Sequence, residues 1–126
     1  MMVSALTRPV ELSRHPAVAR RELTELLRDA AWDGDVDAVL LAVHEAMVNA
    51  QRHGGGVTHA GAGFDGRSLV VEITDRGRGF HVPDSPGVPE VTAERGRGLF
   101  LIRRLTSDAH LVRDGADVRL VLTFDR

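Results

Sequence analysis

The stretch Val43 to Gly54, VHEAMVNAQRHG, decides how the rest of the chain is read. Val36, Val39, Leu40, Val43, Met47 and Ala50 recur at i, i+3, i+4, i+7 spacing, which predicts a helix with one apolar stripe. Glu45 and Asn49 lie four residues apart and project from one side of that helix, with Glu45 and Arg52 roughly opposite the stripe and Asn49 towards its edge. The helix can fold without either side chain, so the acid and the amide are free for chemistry. Leu41 and Val48 share the Glu45 side, which predicts partial cover there.

Working outward, Ser13 and Pro16 mark the start of an earlier helix, Ala17 to Ala31, with Val18, Leu23, Leu26, Leu27 and Ala30 at helical spacing. Asp33-Gly34 supplies the turn between the two helices, and Asp35 or Asp37 falls where a helix N-terminus favours a carboxylate. Before them, Leu6 to Leu12 reads as a strand that Pro9 confines to an edge. After them, Gly54-Gly55-Gly56 ends the long helix. Val57 to Phe64 and Ser68 to Asp75 then flank Asp65-Gly66, a favoured hairpin pair.

Residues His81 to Arg95, HVPDSPGVPEVTAER, carry three prolines and no apolar period, which predicts a lid between two glycine motifs. Arg97 to Thr106 reads as a third helix. His110 to Arg113 and Asp117 to Phe124 read as closing strands across Asp114-Gly115.

With 126 residues the chain fits one domain, residues 1–126, with one core. A formal charge of −2 gives no footprint for nucleic acid or for a membrane surface. All 16 basic residues are arginine, which excludes a phosphate-loop or Schiff-base lysine. Without cysteine there are no disulfides, thiol nucleophiles or thiolate metal sites. No apolar run approaches a membrane span and the N-terminus lacks a signal-peptide core, so a cytoplasmic protein is expected. The histidines show no metal-ligand spacing with an acidic companion; Arg52 and His53 read as helix-dipole partners.

Three short motifs carry the chemistry. In Asp75-Arg76-Gly77-Arg78-Gly79, an aspartate at a strand end precedes backbone free of side chains, a site where a carboxylate can accept from the exocyclic amine of adenine. Gly96-Arg97-Gly98-Leu99 opens a helix whose free N–H groups suit phosphate, with Arg95 and Arg97 adding charge. The Asn49 oxygen suits Mg²⁺, and Glu45, one turn earlier, can take a proton from an attacking hydroxyl. Each motif alone is common; in this order they form a specific set.

HEAMVNAQRHG, DRGRGF and GRGLFLI resemble the N box and the two glycine boxes of the histidine-kinase-like (GHKL, Bergerat-fold) ATPase superfamily. In this compact form the chain is most similar to the anti-sigma-factor serine/threonine kinases. The resemblance implies a two-layer α/β (α+β) sandwich, with helices on one face of a mixed, largely antiparallel sheet. It implies ATP between the long helix and the lid, with Asn49 on Mg²⁺, Glu45 as base, Asp75 on adenine, and Gly77, Gly79, Gly96 and Gly98 around the nucleotide. The partners it implies are a sigma factor, a STAS-type anti-sigma-factor antagonist phosphorylated on Ser or Thr, and a second copy of the chain.

One stretch departs from the pattern. Gly115-Ala116-Asp117-Val118 stands where family members commonly carry Gly-Thr, and an ionised Asp117 beside Asp75 would oppose it. That motivates an alternative, a weakly active or inactive module of the same fold that sequesters a partner. A sensor-kinase catalytic domain fits less well, because His15, followed by Pro16, is a poor phosphoacceptor.

Overall fold

The computed structural model describes residues 7–53, 55–76 and 100–126. The lid at 81–95, and with it Gly77, Gly79, Arg95, Gly96, Arg97, Gly98 and Leu99, lies outside the described residues. The elements are β1 (Thr7–Leu12), α1 (Pro16–Asp29), α2 (Val36–His53), β2 (Val57–Asp65), β3 (Ser68–Asp75), β4 (Asp108–Asp114) and β5 (Asp117–Phe124). Residues 100–105 form a further helix, α3.

The strands make one sheet in the order β1-β2-β3-β5-β4. A mixed, largely antiparallel sheet is expected, whereas every pairing among the described strands is antiparallel. Register sorts the side chains into two faces. Phe64, Leu69 and Phe124 line up across β2, β3 and β5, as do Ala62, Val71 and Leu122, then Ala60, Ile73 and Leu120. These residues meet the helices, packing with Leu23, Leu27, Val39, Met47 and Ile102. The opposite face carries Glu72, Thr74, Arg119, Val121 and Thr123, with Arg119 Nε 3.8 Å from Glu72 Oε1. A half-exposed pair of that kind adds little stability.

Both hairpins turn one residue later than the sequence suggests. Asp65 pairs with Ser68 and Asp114 with Asp117, so the central residues are Gly66-Arg67 and Gly115-Ala116. Only the first of each pair has positive φ, 64° at Gly66 and 66° at Gly115, the arrangement of a hairpin turn that requires glycine first. Pro9 falls where the β1 register shifts, on an edge strand, so its missing N–H interrupts no ladder bond at regular spacing. β4 extends beyond the expected His110 to Arg113, because Asp108 and Ala109 also pair with β5.

Pro16 opens α1 behind His15, whose amide donates to Ser13 Oγ at 3.0 Å. The Ser13 amide donates to Glu22 Oε1 at 2.7 Å and ties the incoming strand to the helix. At the other end Trp32 N donates to the Leu27 carbonyl, 3.0 Å, across Ala31 at φ 50°. This closing turn normally takes glycine. Trp32 is buried, and its ring lies over Gly34 so closely that a Cβ there would come within 3.0 Å of three ring atoms. Asp35 caps α2 by accepting from the Ala38 amide at 3.1 Å. At the far end of the chain, Ser68 Oγ donates to Asp125 Oδ1 (2.6 Å) and the Asp125 amide donates to Ser107 Oγ (2.8 Å). No described helix is long and apolar enough to cross a membrane.

Two substitutions three residues apart should act in opposite directions in urea denaturation. Ala31→Gly should stabilise by about 0.5–1 kcal/mol by relieving positive φ. Gly34→Ala should destabilise by about 1–3 kcal/mol, because a buried indole cannot withdraw.

Candidate functional site

The site is built where α2 leaves the helical layer and the chain returns to the sheet. The Gly56 amide donates to the Ala50 carbonyl at 2.9 Å, and Gly55 and Gly56 have φ of 82° and 101°, a conformation that side chains resist. The turn delivers Val57 directly opposite Asp75, the last residue of the central strand β3. A Cβ built on Gly55 would lie 3.6 Å from the Cβ of Arg76. The exits of α2 and β3 are therefore neighbours.

Asp75 continues the register of Leu69, Val71 and Ile73, so its side chain falls on the helix-facing side of the sheet, aligned with Val118. It is only 4% exposed. On α2 the buried arc is wider than the stripe of large residues, because Ala42, Ala46 and Asn49 are buried as well. Asn49 stands at the edge of that arc, as its spacing suggests, and is itself only 4% exposed. Glu45, one turn earlier, is half-buried and Arg52 is exposed. The cover expected over the Glu45 side does not reach Leu41 among the described residues, where it remains 42% exposed.

The Asn49 Nδ2 is sealed from solvent and has no hydrogen-bond partner among the described residues. A donor left in that state costs about 1–3 kcal/mol, so its persistence calls for an explanation beyond packing. Of the sequence-predicted residues, the structure puts Glu45 and Asn49 one turn apart on α2 and Asp75 at the end of β3, whose exit adjoins that of α2. It also adds His53, which the sequence reading set aside. His53 is half-buried and its Nε2, like the Asn49 amide, is sealed and without a partner. The available signal was its position one helical turn beyond Asn49.

No group of three His, Asp or Glu side chains among the described residues could hold a metal ion alone. Magnesium in phosphate sites takes one or two protein ligands and fills the rest with water and phosphate oxygens, so a lone Asn49 fits that ion only with a nucleotide. Asp117 is exposed and begins β5 one residue before Val118, which shares Asp75's face. Strand alternation therefore turns its side chain to the other side of the sheet, and the anticipated opposition to Asp75 has no basis in the geometry.

Comparison with known proteins supports this reading of the fold. The chain resembles the crystal structure of the RsbU and RsbW domains of Rv1364c from Mycobacterium tuberculosis, with a TM-score of 0.64 at 20% identity. The match covers 94% of this chain and 32% of that one, so this chain spans about a third of its relative. At that identity the likeness speaks for the fold alone. No curated protein matches the chain in sequence. The Histidine kinase-like ATPase domain family matches residues 9–123, nearly the whole length. The chain belongs to the histidine kinase-like ATPase domain family.

Proposed function

We propose that the protein binds ATP with magnesium and acts as a serine/threonine protein kinase of the anti-sigma-factor type. The observation that carries this reading is the buried Asn49 amide, without a hydrogen-bond partner among the described residues, on the helix whose exit adjoins the end of Asp75's strand. Such a group is at home where a ligand completes it. In this reading Asp75 accepts from the adenine amine, Asn49 presents its oxygen to magnesium, and half-buried Glu45 takes the proton from a partner's Ser or Thr hydroxyl. The nucleotide, when bound, supplies the phosphoryl group. Gly77, Gly79, Gly96, Gly98 and Leu99 would frame it, with Arg95 and Arg97 on its phosphates.

The partners proposed are a sigma factor, which the protein sequesters, and a STAS-type antagonist, which it phosphorylates, with the chain acting as a homodimer in the bacterial cytoplasm. Support comes from the family and from the RsbW-containing structure that the fold resembles.

Calorimetric titration with ATP should show magnesium-dependent binding. Asn49→Leu should remove that dependence and weaken ATP binding at least about ten-fold. The same variant should melt no lower than the native protein, since an apolar side chain of similar size replaces an unsatisfied one. A native protein that binds no ATP would sink the proposal. With an antagonist in hand, Glu45→Gln should slow phosphoryl transfer by about 10²–10⁴-fold while partner affinity stays unchanged. Undiminished transfer would remove Glu45 from the role of base.

A further inference from the structure

The outer face of α2 is less polar than a helix facing only water requires. Leu41, His44, Glu45 and Val48 stand at i, i+3, i+4 and i+7 and share that face, so two apolar side chains flank the proposed base. Leu41 is 42% exposed, while His44, Glu45 and Val48 are half-buried. Among the described residues, neither Leu41 nor Val48 belongs to the hydrophobic core. A leucine exposed singly is ordinary on a protein surface. An apolar pair in register with a reactive carboxylate asks for a partner.

Direction along the helix decides what meets this face. In the ATP reading, Asp75 takes the base beside the exit of α2, where the Gly55 backbone approaches Arg76 and Val57 pairs with Asp75. Asn49 and then Glu45 follow towards the N-terminal half of the helix, so the terminal phosphate points away from that exit. Transfer is in line, with the acceptor oxygen entering opposite the departing ADP. The acceptor therefore arrives over the preceding turn, which holds Leu41, about 6 Å from Glu45 along the axis. An extended polypeptide advances about 6.5 Å in two residues. A chain that holds its hydroxyl at Glu45 thus lays a side chain one or two residues away over Leu41.

We propose that Leu41 and Val48 form the docking surface for the phosphoacceptor segment of a protein substrate, and that Leu41 selects an apolar side chain within two residues of the phosphorylated Ser or Thr. This rests on the kinase reading above and adds to it a rule for the substrate's sequence. In the transfer the hydroxyl oxygen bonds to the terminal phosphorus, the bond from that phosphorus to the bridging oxygen breaks, the proton goes to Glu45 and ADP leaves. Water in the acceptor's place would gain nothing from a leucine at this point.

The test is labelling of a serine-centred peptide library, degenerate at two positions on each side, by the full chain with magnesium and γ-labelled ATP. Native protein, Leu41→Ser, Leu41→Met and Leu41→Arg are compared, beside calorimetric titration with ATP and melting curves. The native protein should select Leu, Ile, Val or Met at one of the degenerate positions. Against the selected peptide, Leu41→Ser should raise KM about ten-fold with kcat held within two-fold, the order expected from the lost burial of one leucine side chain. Leu41→Met should restore KM, and Leu41→Arg should move the preference to Asp or Glu. ATP affinity and melting temperature should be the same in all four proteins, because the side chain is exposed.

Peptides labelled without preference at those positions would overturn the proposal, as would a KM that Leu41→Ser leaves unmoved. A native protein that binds ATP and labels no peptide also overturns it, since recognition then lies off this segment. A lowered melting temperature or ATP affinity in Leu41→Ser would mean that the chain itself covers Leu41, and the docking role falls. If the native protein binds no ATP, the kinase reading fails and this surface with it. ATP binding and labelling with an indifferent Leu41→Ser remove the surface alone.

Discussion

The bond from the Gly56 amide to the Ala50 carbonyl fixes the point at which α2 ends, and much of the site's geometry follows from it. A helix that ran on for another turn would carry the chain past the end of β3. Stopped here, it reverses through two residues of positive φ and enters β2 with Val57 opposite Asp75. Helix and strand exits then share one corner. The constraint is local and made of backbone, so it persists whichever side chains occupy the face above it.

Around that corner the protein accepts unfavourable terms. Asp75 is buried on a face whose other residues are apolar, and two nitrogens on α2 are withheld from water and from any partner among the described residues. Elsewhere the Asp35 cap and the serine and aspartate links at the C-terminal end of β5 are satisfied, while Trp32 Nε1 and Arg119 Nε are also buried without a hydrogen-bond partner among the described residues. What sets the corner apart is that two such nitrogens, on Asn49 and His53, lie one turn apart on the same helix, close to its exit, where a ligand could complete them.

Periodicity made the scaffold legible. The large apolar residues of α2 and the alternation of Val118, Leu120, Leu122 and Phe124 give helix and strand directly, and Pro9 places β1 at an edge. Small residues hid the rest. Ala42 and Ala46 weigh little in an apolar pattern, so the buried arc of α2 looked narrower than it is and His53 seemed to lie beyond it. Glycine misplaced the hairpins by one residue, because a pair such as Asp65-Gly66 signals a turn without saying which position of the turn glycine takes. Asp117 is the converse case: adjacent to Asp75's partner in register, it is turned away by an alternation that only the pairing reveals.

The indole of Trp32 has a use beyond packing over Gly34. The chain contains one tryptophan and no tyrosine, so near-ultraviolet emission comes from a single buried ring between α1 and α2. It lies before the first residue of α2, whereas the candidate site gathers towards the last; 18 residues of helix span about 27 Å. Emission therefore follows the integrity of the core at the end remote from the nucleotide corner. The molecule carries its own optical gauge of folding, and a ligand can be added without standing next to the fluorophore that reads it.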